Sequence, residues 1–147
     1  MIGAALVDPI IALVRDAAPD LRYVGPANDL AALIAARRLP ERVPAAYVLP
    51  TAEAAEQAQR TVHRTLVTTI MTVVLVASES RRGPDDRPLD TLGAAVIAAL
   101  DGVLPAPDWR VLGYRGGDQQ VRAASSDRDG GVFLTLHFET TTQRQRS

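Results

Sequence analysis

Two histidines are the side chains in this sequence best suited to acid–base chemistry. His63 and His137 both lie in stretches that we predict to be strands, each on the polar side of its strand. Because an imidazole titrates near neutral pH, two of them held together would form a proton-transfer or metal-binding site. They come close if the two strands pair, so a small enzyme using His63 and His137 is one hypothesis. The competing interpretation is that both are ordinary, partly exposed surface residues.

A run of charged residues between 78 and 87 is the second place where chemistry is conceivable. Asp85 and Asp86 are adjacent carboxylates, the ligand type that hard cations prefer. Three arginines surround them in a turn-forming segment, which favours a solvated, self-neutralising loop over a metal site. The same charge density makes this loop a candidate contact for a partner protein, through Arg81, Arg82, Asp85, Asp86 and Arg87.

The remaining signatures of catalysis are missing from the sequence. The chain has no cysteine, which excludes disulfides, thiolate nucleophiles and cysteine metal sites. Gly116-Gly117 precedes a predicted strand instead of a helix, so it does not make a phosphate cradle. We therefore expect no catalytic residue, no cofactor and no metal, and a protein that is not an enzyme.

Composition points to one soluble domain with no affinity for a particular nucleic acid. The 147 residues suffice for a single core, and 47% of them are hydrophobic. Sixteen basic and seventeen acidic residues give a net charge of -1, without the basic footprint of a nucleic-acid binder. The longest apolar stretch, 66–77, is shorter than the roughly 20 residues that span a bilayer. We expect a protein made in the cytoplasm.

Three helices are predicted from apolar spacing and from residues typical of helix ends. Asp8-Pro9 indicates that the first helix starts there. The alternative is that residues 2–7 form an extra turn before it, with Pro9 at a kink. The third helix begins at Pro88 and ends at Gly102. The second begins at Asn28 or Asp29 as its cap, and its buried face is predicted to comprise Leu30, Leu33 and Ile34.

Several shorter strands complete the pattern. Residues 22–25 and 45–49 are predicted strands, whereas 51–60 is predicted to be a loop or a loosely attached helical turn because it has no large apolar residue. Two further strands, 109–115 and 119–123, are predicted to meet at a hairpin turn over Gly116-Gly117-Asp118. The last strand alternates apolar and polar residues from Val132 to Glu139.

The segment Thr61–Ser78 is the most informative strand. Its first half mixes polar and apolar residues, while its second half is almost wholly apolar and must be covered on both faces. A strand this long projects beyond its own core, and exposed strand edges invite pairing with another chain. We expect the polar half to lie at a subunit interface through Val62, Arg64, Leu66 and Thr68.

Together these elements predict an α+β fold: a single domain over 1–141 with a mainly antiparallel sheet and about three helices packed on it. Residues 142–147 are expected to form a disordered C-terminal tail.

The order of the segments resembles the tail terminator proteins of long-tailed bacteriophages and prophages. The likeness covers roughly residues 2 to 141, and its motifs are Pro44–Pro50, Val62–Val76, Leu89–Gly102, Tyr114–Gly117 and Leu136–Phe138. The Gly-Trp dipeptide expected after the third helix is replaced by Gly102-Val103, and Trp109 comes later.

This resemblance implies a structural virion protein at the head-proximal end of a siphophage tail. It implies a homohexameric ring that caps the tail tube, terminates its polymerisation and provides the head-joining surface. The implied partners are further copies of the chain, the major tail tube protein and a head–tail connector or stopper. DNA would pass through the lumen without specific contact, and no membrane is involved. The alternative is another head–tail connection protein, such as a head-completion or stopper subunit.

Overall fold

The computed structural model describes residues 1–36, 38–40, 42–59, 64–78, 89–126 and 130–145. Within these ranges the chain forms one 3-10 turn, three α-helices and five β-strands. The turn is Ile2–Leu6, and the helices are α1 (Val7–Ala17), α2 (Ala27–Ala35) and α3 (Leu89–Leu100). The strands are β1 (Tyr23–Pro26), β2 (Ala45–Gln59), β3 (Arg64–Ser78), β4 (Gly113–Arg122) and β5 (Gly131–Gln145).

The strands form a sheet in the order β1-β2-β3-β5-β4. β1 lies parallel to β2, and the other three neighbouring pairs are antiparallel. β2, β3 and β5 each contain 15 residues, so they extend well past the shorter β1 and β4. The predicted fold, a single α+β domain with a mainly antiparallel sheet and three helices, is confirmed.

Alternate residues of the long strands face different helices, because successive side chains of a strand point to opposite faces. One face packs against α1 and α3, and we call it the helix-pair face. Its buried residues include Ile10, Val14, Val48, Met71, Val73, Leu75, Leu92, Val96, Leu100, Leu136 and Phe138. The other face carries α2, and we call it the α2 face. Its cluster of buried residues is Leu30, Ala45, Tyr47 and Val76.

Helix α3 ends before Gly102 as predicted, and its predicted start at Pro88 lies outside the described residues. The starts of α1 and α2 differ from the prediction. Gly102 has a φ of +78°, the left-handed conformation that ends a helix at low cost for glycine. α1 begins at Val7 directly from the 3-10 turn, so Asp8 caps nothing. α2 begins after the extended Pro26 with no side-chain cap. Its Leu30 is buried as predicted, but Ile34 is 52% exposed.

The prediction of a loop at 51–60 was wrong. β2 continues through Pro50 to Gln59 and pairs with β3 over this length, with register shifts at Thr51 and Ala58. Alanine and glutamate favour a helix, but a helix here would have no apolar face to bury. Pairing with β3 satisfies the backbone instead, so tertiary context overrides propensity.

The predicted hairpin at Gly116-Gly117-Asp118 was also wrong. β4 is one strand, and its register with β5 skips a single residue between Tyr114 and Gly116. Gly116 has a φ of +115°, which lets the backbone absorb this bulge. The glycines therefore serve a bulge inside a strand instead of a turn between two strands.

The C-terminal segment is more ordered than expected. β5 runs to Gln145 and pairs with β3 as far as Arg64, so residues 142–145 are strand and not a disordered tail. The last two residues lie outside the described ranges. Val132, Leu134, Leu136 and Phe138 share one face, as the alternation predicted, and the same face continues into the buried Thr140 and Thr142.

Candidate assembly surface

The three long strands continue together beyond the ends of β1 and β4. We call this extension the arm: residues 51–59 of β2, 64–70 of β3 and 140–145 of β5. Its register is continuous across all three strands, from Glu53, Thr69 and Thr140 at the base to Gln57, Thr65 and Arg144 near the tip. The predicted projection of β3 is therefore present, but it is a sheet of three strands.

Two irregular segments cover the helix-pair face of the arm, and one of them precedes β4. Thr140 Oγ1 donates a hydrogen bond to the carbonyl of Arg110, and Thr142 Oγ1 donates one to the carbonyl of Asp108, both at 2.6 Å. The N–H of Arg110 donates to the carbonyl of Thr141 at 2.8 Å. Because both hydroxyl groups find acceptors, these threonines stay buried without an unsatisfied polar atom.

The second cover is the N-terminal 3-10 turn, which Glu53 holds against the arm. The Oε1 atom of Glu53 accepts hydrogen bonds from the N–H of Ile2 at 2.9 Å and of Gly3 at 3.4 Å. Gly3 lies so close to Thr69 that a Cβ atom there would collide with the threonine methyl group. The carboxylate of Glu53 and the missing side chain of Gly3 thus allow the N-terminal turn to lie close to the arm.

The α2 face of the arm has no helix over it among the described residues. Arg64, Leu66 and Thr68, three of the four residues predicted for a subunit interface, occupy alternate half-buried positions of this face. The fourth, Val62, lies outside the described residues. Ile70 continues the row, and the neighbouring Ala54 of β2 is exposed. The structure therefore places the three described residues on one accessible surface.

In the part of the chain that the structure describes, both sides of the sheet have long stretches of strand edge without a neighbouring strand. β1 pairs with β2 only as far as Val48, and beyond it no described strand lies beside β2. The side chains of 51–57 are all exposed. On the other side, Tyr114 at the start of β4 donates its N–H to Asp101 Oδ1 at 3.0 Å, but no described strand borders Gly116–Arg122.

Unpaired N–H and C=O groups along such edges are ready to pair with another chain. The interface residues predicted from the sequence lie on β3, which pairs with β2 on one side and β5 on the other, and their role stays a prediction. The open β2 edge is not predictable from the sequence, because 51–59 has no strand-like alternation of large apolar and polar residues.

Comparison with known proteins identifies the family of this chain. The sequence matches the family described as "Phage tail terminator protein" over residues 3–147. The chain belongs to the phage tail terminator family. It is therefore a structural protein of the phage tail and a component of the virion.

A solved structure is also similar to this tail terminator. A chain from the virion of a native gene transfer agent (GTA) particle superposes with a TM-score of 0.44 and 16% sequence identity. The likeness covers 78% of this chain and 84% of that chain. No curated protein matches the sequence significantly.

Of the two histidines of this tail terminator, His137 lies in the described part of the chain. His137 Nδ1 lies 2.9 Å from Thr72 Oγ1, which in turn lies 2.8 Å from Thr51 Oγ1, a polar row across three strands. His63 lies outside the described residues. The approach of His63 to His137, and with it the enzyme hypothesis, therefore stays a prediction.

The charged loop proposed as a partner contact lies outside the described residues. Arg81, Arg82, Asp85, Asp86 and Arg87 therefore keep their predicted role as a prediction. Among the described residues, no cluster of three or more histidine and carboxylate side chains is placed to hold a metal ion. In that same part of the chain, no helix has both the length and the apolar character needed to cross a membrane.

Proposed function

We propose that six copies of this tail terminator close into a ring at the head-proximal end of the tail. The ring caps the tail tube, ends its polymerisation and presents the surface to which the head joins. Its partners are the major tail tube protein on one side and a head–tail connector or stopper protein on the other. The family match over residues 3–147 carries this proposal.

The shape of the subunit supports assembly through unlike surfaces. A closed ring repeats one heterologous contact, in which each copy offers two different patches to its two neighbours. The open β2 edge and the open β4 edge lie on opposite sides of the sheet, and the α2 face of the arm adds a third accessible surface. This role is mechanical and requires no catalytic residue.

The charge of the chain supports passage of DNA without retention. Proteins that grip DNA neutralise many phosphates with basic side chains, and their affinity rises with that number. This tail terminator carries a net charge of only -1, with its sixteen basic and seventeen acidic residues nearly balanced. A lumen formed by such subunits lets the duplex slide through.

Light scattering across a range of protein and salt concentrations tests the ring directly. We expect a species near six subunit masses, or a monomer that converts to it on addition of purified tail tubes. A chain that remains monomeric both alone and on tubes contradicts the proposal.

Electron microscopy of assembling tails tests the terminating role. Tube protein alone should give tubes of uncontrolled length, and adding the terminator during growth should shorten them and leave a cap at one end. Gold-labelled protein should decorate tube ends. Decoration of filled heads without tubes would instead indicate a head-completion subunit.

A further inference from the structure

The two open edges of the sheet belong to strands that run in opposite directions. β2 is antiparallel to β3, β3 to β5 and β5 to β4, so β2 and β4 are antiparallel to each other. We propose that Gly116–Arg122 of one copy pairs with residues 49–56 of β2 in the next copy, so that one sheet continues from subunit to subunit. This inference rests on the ring proposed above and names the contact that closes it.

The two segments lie at different heights along the strands of one subunit. Following the register through β5 and β3, Gln119 in the middle of the β4 edge lies level with Ala46 of β2. The middle of the free β2 edge lies near Glu53. Because Thr51 bulges out, the two midpoints are separated by six paired positions, or about 20 Å at 3.4 Å per residue.

An offset of this size fits the closure of a sheet into a ring. Each subunit contributes the four strands β2, β3, β5 and β4 to the continuous sheet. At about 4.8 Å between neighbouring strands, they cover about 19 Å across the sheet. A shift of about 20 Å over that width corresponds to strands inclined by about 45° to the ring axis, at the upper end of the range in closed barrels. An arrangement without the shift would bring β4 against β1, where the β2 edge is already occupied.

The side chains are compatible with this register. Six positions is an even number, so each face of the sheet continues onto the same face of the neighbour. Asp118 then faces Ala54, so acidic residues avoid one another. Glu56 lies beside the bulged Arg115, whose guanidinium already pairs with Glu139 of its own subunit at 3.1 Å. Gly116–Arg122 contains no proline, and residues 49–56 contain one, Pro50, which lies near the end of the segment and has no N–H to donate.

Cysteine cross-linking tests the contact, because the chain has no cysteine of its own. The test variant combines Ala54→Cys with Asp118→Cys. Within one subunit these positions are about 25 Å apart, from three strand spacings across and six positions along. A disulfide requires Cα atoms within about 7 Å, so any link must join two copies. The control combines Ala54→Cys with Thr91→Cys, an exposed position on α3.

Under mild oxidation the test variant should give a ladder of covalent multimers on a denaturing gel, ending at the ring size, while the control stays monomeric. A short bismaleimide linker repeats the experiment without the strict geometry of a disulfide. Rings seen by light scattering without cross-links above the control would overturn the inference and leave the ring standing. Absence of rings in solution and on tubes would instead contradict the ring itself.

Discussion

The carboxylate of Glu53 accepts a hydrogen bond of 2.9 Å from the backbone N–H of Ile2, across 51 residues of sequence. Through this bond a residue of the arm anchors the N-terminal turn, which covers the helix-pair face of the arm. The first turn of a helix has no backbone acceptor for its N–H groups, so a carboxylate there removes unsatisfied donors.

Replacing Glu53 with alanine should release the N-terminal turn. We expect a loss of about 1–2 kcal/mol in the free energy of unfolding, because the variant lacks the carboxylate that accepts hydrogen bonds from the N–H groups of Ile2 and Gly3. Urea unfolding measures this loss, and hydrogen exchange at Ile2 and Gly3 should accelerate. Glu56→Ala, an exposed position on the same strand, is the control. Equal stability of the two variants would contradict the anchoring role.

Adding a side chain at Gly3 should push the turn away from the sheet. A Cβ atom there collides with the methyl group of Thr69, so we expect Gly3→Ala to lower the free energy of unfolding by about 1–3 kcal/mol. Thr69→Ser removes the methyl group and keeps the hydroxyl, so the double variant should recover part of the loss. A double-mutant cycle with no coupling energy would show that the contact is not the cause.

Truncating Phe138 should destabilise the whole domain. Its side chain is fully buried between β4 and the helix pair, with the ring of Tyr114 at 5.5 Å between centroids. We expect Phe138→Ala to lower the free energy of unfolding by about 3–5 kcal/mol. Val121→Ala, at a position 62% exposed, should change it by less than about 0.5 kcal/mol. A small effect at Phe138 would disprove the packing described for β5.

A proline in the open β2 edge should prevent assembly without unfolding the subunit, if its missing N–H points outward. Neighbouring residues of a strand direct their N–H groups to opposite sides, so one of Ala54→Pro and Ala55→Pro removes an outward donor and the other a bond to β3. Circular dichroism identifies the folded variant of the two, and light scattering then measures its mass. A folded proline variant that forms normal rings would argue against pairing at this edge.

A charge on the α2 face of the arm tests whether this face contacts a neighbouring subunit, as predicted from the sequence. Leu66 is half-buried on a face that no described helix covers. We expect Leu66→Glu to abolish the ring and leave a folded monomer, because desolvating a carboxylate at a subunit contact is costly. Thr91→Glu on α3 serves as the matched control. Intact rings from the Leu66 variant would remove this face from the interface.

The sequence predicted the elements whose pattern is strong and local. β3 is recognisable because an almost wholly apolar half follows a polar half. α3 is recognisable because Leu92, Val96 and Leu100 repeat at helical spacing before a glycine. The alternation in β5 likewise predicted its buried face.

The predictions that were wrong concern features that depend on contacts between residues distant in sequence. Residues 51–59 have helix-forming composition and become strand only because β3 lies beside them. Gly116 and Gly117 suit a turn as well as a bulge, and pairing with β5 selects the bulge. The open edges follow from the strand order alone, which no local pattern contains. For this reason the open β2 edge could not be predicted from the sequence.

Glu53 and Glu56 on the open β2 edge affect the risk of aggregation that an exposed strand edge carries. Identical strands stacked in parallel and in register form the cross-β core of amyloid, and such stacking would place Glu53 over Glu53 and Glu56 over Glu56 in each layer. Like charges directly opposite destabilise strand pairs. Subunits that have not yet assembled would therefore resist fibril growth, while their edges stay free for an antiparallel strand of different sequence.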